Sequence, residues 1–235
     1  MELTREHWTK KDIDDFQKYI KSFENKGKTE WATNLLKTEL PVLCLTNDLM
    51  KDIVKKISEG NYLEFLNFMT WEYYENTAIN GFLIIAIKDF DIMKKYLDIY
   101  SSKADNWATC DLLYFKVKGN EQKYFDLALE YIKSDKPFVK RIGLSVLLKL
   151  VSDNKYIDEI FNILDKFEKE ENYYVNMMSG WLFCECFINQ REKTLKYLKH
   201  SKLNKIAINK GIQKCRESRR VIKEDKDMLL KYKVK

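Results

Sequence analysis

Apolar residues recur at spacings of three and four along almost the whole chain. In "IDDFQKYIKSF" the residues Ile13, Phe16, Tyr19, Ile20 and Phe23 share one stripe, as in a helix that turns one face to a core. "LPVLCLTNDLMKDIVKKI" (40–57) breaks at Pro41 and resumes the helical pattern with Leu49, Ile53 and Ile57. The pattern predicts further helices over about 61–68, 72–87, 90–101, 105–118, 121–133, 137–151, 155–168, 172–188, 191–199, 203–214 and 225–232. Short polar stretches such as "SEGN", "KGNE" and "SDKP" punctuate them, as turn and cap residues do. Pro137 falls in a first helical turn, where its missing N–H is tolerated, with Ser134 or Asp135 expected as the cap.

Strand-like alternation bounded by hairpin turns is absent. A succession of helical pairs with short connections predicts an all-α fold, an α-solenoid whose stacked pairs bury their apolar faces and offer a long concave surface. No literal repeat is present in the sequence, so this expectation rests on helix number and spacing. A compact, non-repetitive bundle is the structural alternative. Composition agrees with helix: 45% of residues are hydrophobic and 14% aromatic, with only 7 Gly and 2 Pro, too apolar for disorder and too poor in turn residues for a β-sandwich. A length of 235 residues allows a single domain over 1–235 with a substantial core.

The opening "MELTREHWTKKDIDDF" is charged, unlike a secretory signal, and the apolar run "GFLIIAI" (81–87) is far below the roughly 20 residues that cross a bilayer. The expectation is a monomer with no membrane partner in a cytoplasm, a bacterial-type cytosol or nucleoid. Cys44, Cys110, Cys184, Cys186 and Cys215 are scattered, without a CxxC pair or adjacent histidines, so neither a disulfide framework nor a zinc site is indicated. Cys184 and Cys186, two apart on a helix, point about 200° apart.

Charge is unevenly placed. The chain carries +6 in all, yet Arg191–Arg220 holds eleven Lys/Arg against two Glu, a balance of +9 that leaves −3 over the remainder. Such a concentration is the footprint expected for a polyanion, nucleic acid first. A solvated lysine-rich helix face gives the same composition, and the "KYLKHSKLNK" stretch (196–205) is too poor in aromatics for a good interfacial membrane helix.

Three places carry residues suited to chemistry. In "NWATCDLL" (106–113) Trp107 and Asp111 are four apart, hence side by side on a helix. "KPFVKRIGLSVLLKL" (136–150) places Arg141, beside Lys140, in an apolar helix, where a guanidinium needs a partner. "NYYVNMMSGWLFCECF" (172–187) places Trp181 after Gly180, whose missing side chain leaves room for a helix or ligand to approach. His7 and His200 have no catalytic spacing partner, and the aromatic "TWEYYEN" (70–76) reads first as packing.

These three markers, in this order and at these separations, resemble the AlkD-like DNA alkylation repair family, DNA glycosylases built from HEAT-like repeats. Softer matches are the 40–57 segment, "WEYYENTAINGFLI" (71–84) and "NKIAINKGIQKCRESRRV" (204–221). The resemblance implies a HEAT-like solenoid that binds alkylated duplex DNA and hydrolyses the N-glycosidic bond of cationic N3- or N7-alkylated purines. It implies no metal and no organic cofactor, and a lesion held by its backbone without enclosing a flipped base. The family roles would fall on Asp111 as electrostatic stabiliser and possible general base, on Trp107 and Trp181 as π faces toward the sugar, and on Arg141 as phosphate holder. The family pattern has basic residues around the second tryptophan; here Met177, Cys184 and Glu185 stand there. Lys205, Lys210, Lys214, Arg216, Arg219 and Arg220 are therefore candidates, with Lys140, for the DNA contacts. The competing class is a non-catalytic helical-repeat protein that binds branched or distorted DNA or a protein partner.

Overall fold

The computed structural model describes residues 1–234. Its helices are α1 (Lys10–Lys21), α2 (Thr29–Leu36), α3 (Asn47–Ser58), α4 (Tyr62–Asn67), α5 (Tyr74–Ile84), α6 (Phe90–Lys103), α7 (Trp107–Asp111), α8 (Glu121–Ile132), α9 (Pro137–Leu147), α10 (Ile157–Asp165), α11 (Tyr173–Asn189), α12 (Arg191–Leu198), α13 (Lys205–Glu217) and α14 (Lys223–Leu229). No strand occurs among the described residues, so the all-α class holds and the series of helices is consistent with an α-solenoid. None of these helices is long and apolar enough to cross a membrane. Short polar side chains start many of them. Thr9, Thr46, Asn61, Asp89, Asn106, Asn172 and Asn204 each accept a hydrogen bond from a first-turn amide, satisfying donors that the helix itself leaves orphaned.

The chain divides into two compact units, Met1–Tyr114 and Phe115–Lys235. In the first, α5 packs against α3, α4, α6 and α7. It is buried nearly all round, and its buried residues include Glu75, Asn76, Thr77 and Asn80. The Glu75 carboxylate accepts from the amides of Leu43 (3.0 Å) and Leu45 (3.3 Å). Burial raises its pKa above the ordinary carboxylate value, and these amides oppose that rise. They also explain why helix begins only at Asn47: in 40–46 Pro41 lacks an N–H, Cys44 adopts φ 62°, and two amides are engaged by Glu75.

In the second unit α8 and α9 form a hairpin, while α11 packs against α9, α10, α12 and α13. Helices α11 and α13 run in the same direction. Asn204 Nδ2 donates to Asn176 Oδ1 near their starts (2.6 Å), and Phe183 lies against Gly211 farther along. Between those points the helices nearly touch at Gly180, where an added Cβ would lie 2.9 Å from the Ala207 carbonyl oxygen and 3.0 Å from the Gly211 amide nitrogen. The room expected beside Trp181 is thus filled by a neighbouring helix.

Three local expectations are corrected. Helix α2 is absent from the expected series because only Ala32 and Leu36 of it are buried, while Trp31 and Leu35 face outward. The helix expected over 105–118 ends at Asp111; beyond it burial alternates through Leu113, Tyr114, Phe115 and Lys116, the period of extended chain. Pro137 does open α9, but Lys136 holds the cap position without a side-chain cap bond. The Ser134 hydroxyl instead accepts from the Lys136 amide at 3.1 Å in the preceding turn.

Gly180→Ala tests the close approach by the sign of its effect. Helix propensity alone favours alanine by about 1 kcal/mol, whereas crowding against backbone costs about 1–3 kcal/mol. The expected result is a lower thermal midpoint by circular dichroism; a higher one would mean that the two helices have room.

Candidate functional site

The sequence-predicted residues divide between the units: Trp107 and Asp111 lie in the first, Arg141 and Trp181 in the second. Helix α7 contains only five residues, far fewer than the about 12–15 an isolated helix needs to persist in water. Its geometry is therefore imposed from outside. Asn106, fully buried at 0% exposure, accepts from the amides of Ala108 (3.0 Å) and Thr109 (3.1 Å). The Tyr100 hydroxyl donates to the Thr109 carbonyl at 2.8 Å, and burial pushes this phenol well above its usual pKa, so it remains a donor. Beneath the turn, Ala108 packs against the cluster of Ala32, Leu36 and Val42.

The two named side chains on α7 are half-buried. Trp107 Nε1 donates to the Leu35 carbonyl near the end of α2 at 3.3 Å, which fixes the indole's edge. Asp105, just before the turn, accepts from the Thr38 hydroxyl (2.5 Å) and the Glu39 amide (2.9 Å), closing the loop after α2 onto the start of α7. An indole and a carboxylate are thereby presented from one rigid helical turn, with Asp111 four residues beyond Trp107.

Arg141 is only 5% exposed. Its Nη1 donates to the Tyr174 carbonyl in the first turn of α11 at 2.7 Å, so the guanidinium ties α9 to α11. Neighbouring Lys140 forms an ion pair with Glu170 at 3.0 Å. Trp181 is half-buried on α11. One turn beyond it, Glu185 receives both terminal nitrogens of Arg220, one of them at 3.0 Å. Glu185 thus brings an arginine to the turn after Trp181.

Of the other basic candidates, Lys205, Lys214, Arg216 and Arg219 are exposed and Lys210 is half-buried. Part of the local +9 is matched internally, since Arg191 binds Asp225 and Glu192 while Lys193 binds Asp158. The five cysteines are free thiols. Among the described residues no three His, Cys, Asp or Glu side chains gather as a metal site. Sequence reasoning missed Asn106, Tyr100 and the Leu35 carbonyl. Asn106 had a readable signal, an Asn immediately before a helical stretch; the other two come from distant chain segments.

The family model described as DNA alkylation repair enzyme matches residues 13–215. No curated protein sequence matches the chain.

Replacing Asn106 with Ala should lower stability by about 0.5–2 kcal/mol and raise hydrogen exchange at the Ala108 and Thr109 amides; unchanged exchange would show that the cap does not hold the turn. A second expectation concerns pH. Arg191 lowers the pKa of Asp225 through two bonds of 2.8 and 2.6 Å. A carboxylate with a lowered folded pKa stabilises fully above its unfolded value, about 3.9. That contribution fades as pH falls through the lowered value. Denaturant titrations of wild type and Asp225→Asn should therefore differ at pH 7, and the difference should shrink as pH is lowered below about 4; a gap that stays constant in acid would contradict the ion-pair origin.

Proposed function

The chain belongs to the DNA alkylation repair enzyme family, and from that premise we propose that it is a DNA glycosylase releasing cationic N3- or N7-alkylated purines from duplex DNA. Its helices are read as HEAT-like repeats. The pairs α8–α9 and α10–α11 and the packing of α9 on α11 and of α11 on α13 support this. The observation that carries the catalytic reading is the externally fixed turn α7, which spends two capping bonds and a buried tyrosine on presenting Trp107 and Asp111. An ordinary structural turn requires no such pairing of indole and carboxylate.

Alkylation at N3 or N7 gives the purine a positive charge and makes it a good leaving group. As the N-glycosidic bond breaks, that charge passes to the deoxyribose in an oxocarbenium-like transition state. Asp111 stabilises the developing cation: two unit charges 4 Å apart interact by about 4 kcal/mol at an effective dielectric of 20. The same carboxylate orients the attacking water and accepts its proton. On the first unit Trp107 offers a π face from the same turn, and on the second unit Trp181 offers another, each worth about 0.5–2 kcal/mol to a well-placed cation. Arg141 presents only a small part of its guanidinium, which suits one phosphate oxygen better than a broad backbone contact. The exposed Lys205, Lys214, Arg216 and Arg219 supply the remaining phosphate attraction, with Lys210; Lys140 and Arg220 are neutralised by Glu170 and Glu185 and add little to it.

The decisive measurement is release of 7-methylguanine or 3-methyladenine from duplex DNA. Wild type should excise, while Asp111→Asn should bind with similar affinity and turn over on the order of 100-fold more slowly. Binding without release by folded wild type would assign the chain to the non-catalytic helical-repeat class. Affinity should also fall steeply with salt as phosphates release counterions; a flat response would indicate a protein partner.

A further inference from the structure

A groove of about 440 Å³ runs between α11 and α13 and is bordered by the chain's last described residues. That volume lies in the range of small-ligand sites, about 300–1,000 Å³. Its apolar part comes from Tyr173, Met177 and Ile206, and its charges come from Lys210, Arg216 and Lys233. Among the described residues no carboxylate lines it. The nearby Glu217 is engaged by Gln213 at 2.7 Å.

Two features are unusual for a solvated helix face. Tyr173 is 63% exposed and Ile206 53% exposed, so an aromatic ring and an aliphatic side chain border the groove uncovered. The ring is also braced: Tyr173 meets Tyr174 edge-on at 5.3 Å, and Tyr174 packs on Phe138 at 5.1 Å. The second feature is the third cation. Asn209 on α13 donates to the Val234 carbonyl (2.9 Å) and accepts from the Val234 amide (3.0 Å). This reciprocal clamp returns the chain end to α13 and delivers Lys233 to the groove rim. Both Arg216 and Lys233 lie beyond the family match, which ends at 215.

A braced, exposed aromatic ring next to three cations is complementary to a nucleotide, with a face on which a base can stack and charges that neutralise phosphates. Paired bases in a duplex are already stacked, so a stacking surface has its full use only with an unpaired one. We propose that this groove binds an unpaired stretch of a nucleic acid strand, one base lying on Tyr173 and its flanking phosphates held by Lys210, Arg216 and Lys233. The proposal rests on the reading of the chain as a nucleic-acid-binding protein and extends it from duplex to single strand.

Fluorescence anisotropy with undamaged ten-nucleotide dU and U oligomers, which differ only in the 2′-hydroxyl, and an undamaged duplex tests it on the full chain. Tyr173→Ala should weaken single-strand binding about 5- to 100-fold, Tyr173→Phe should retain it, and duplex affinity should stay unchanged for both. Lys233→Ala and Asn209→Ala should each lower the single-strand salt slope by about 0.7, with circular dichroism confirming that each variant folds. Whichever oligomer binds more tightly identifies the strand as DNA or RNA. Duplex binding with no single-strand binding, or equal affinity of wild type and Tyr173→Ala, overturns the groove proposal while leaving the duplex reading intact. Failure to bind any of the three probes overturns both.

Discussion

The candidate chemistry depends on a helical turn too short to hold itself. Helix α7 has five residues, too few for its own backbone bonds to hold it against unwinding. Its shape is set by Asn106 at one end, the Tyr100 hydroxyl on the Thr109 carbonyl, and the Leu35 carbonyl on the Trp107 indole. These partners lie on three different segments of the first unit, so the relative placement of Trp107 and Asp111 is a property of that unit's packing. Gly81 contributes to it. An added Cβ there would lie 2.6 Å from Leu112 and 2.9 Å from the Tyr100 hydroxyl, so the absence of a side chain on α5 lets the tyrosine reach α7.

A comparable constraint operates in the second unit, where α11 and α13 approach until only hydrogen fits at Gly180. The close approach fixes how α11 is rotated about its axis, and Trp181 is the next residue along. Fixing the glycine therefore also fixes the direction of the indole. Arg220 closes the same region by reaching Glu185, which couples the start of the final segment to the turn after Trp181. Packing and candidate function are not separable here, because one helix crossing determines both.

Much of this was legible in the sequence, for reasons that differ by element. Helices such as α3 and α10 have one strongly apolar face, and a period of 3.6 marks them wherever packing is one-sided. Helix α2 buries only two residues, so its pattern is faint. The 105–118 segment misled because its apolar count is high throughout, although the alternation from Leu113 to Lys116 was a visible sign of extended chain. That Trp107 and Asp111 share one helical turn was readable from their spacing, which survives even in so short a helix. Burial of Arg141 by α11 was not readable, since it depends on a carbonyl 33 positions away. The extended segment before α3 was equally hidden, because the buried carboxylate that claims its amides lies about 30 residues further on.

Net charge is a weaker guide than the position of each charge. The stretch from 191 to 220 carries +9, yet Arg191, Lys193 and Arg220 each face a carboxylate within the same unit. Those pairs brace α12, α10, α11 and α14 against one another and add little to the distant field. What remains outward is spread over two stretches: Lys196, Lys199 and Lys202 on α12 and the loop after it, and Lys205, Lys214, Arg216 and Arg219 on α13 and the turn after it. Among the described residues these cations face solvent without a carboxylate partner of the kind that Arg191, Lys193 and Arg220 have. The charge run therefore resolves into two sets, an internal one that ties helices together and an external one that faces solvent.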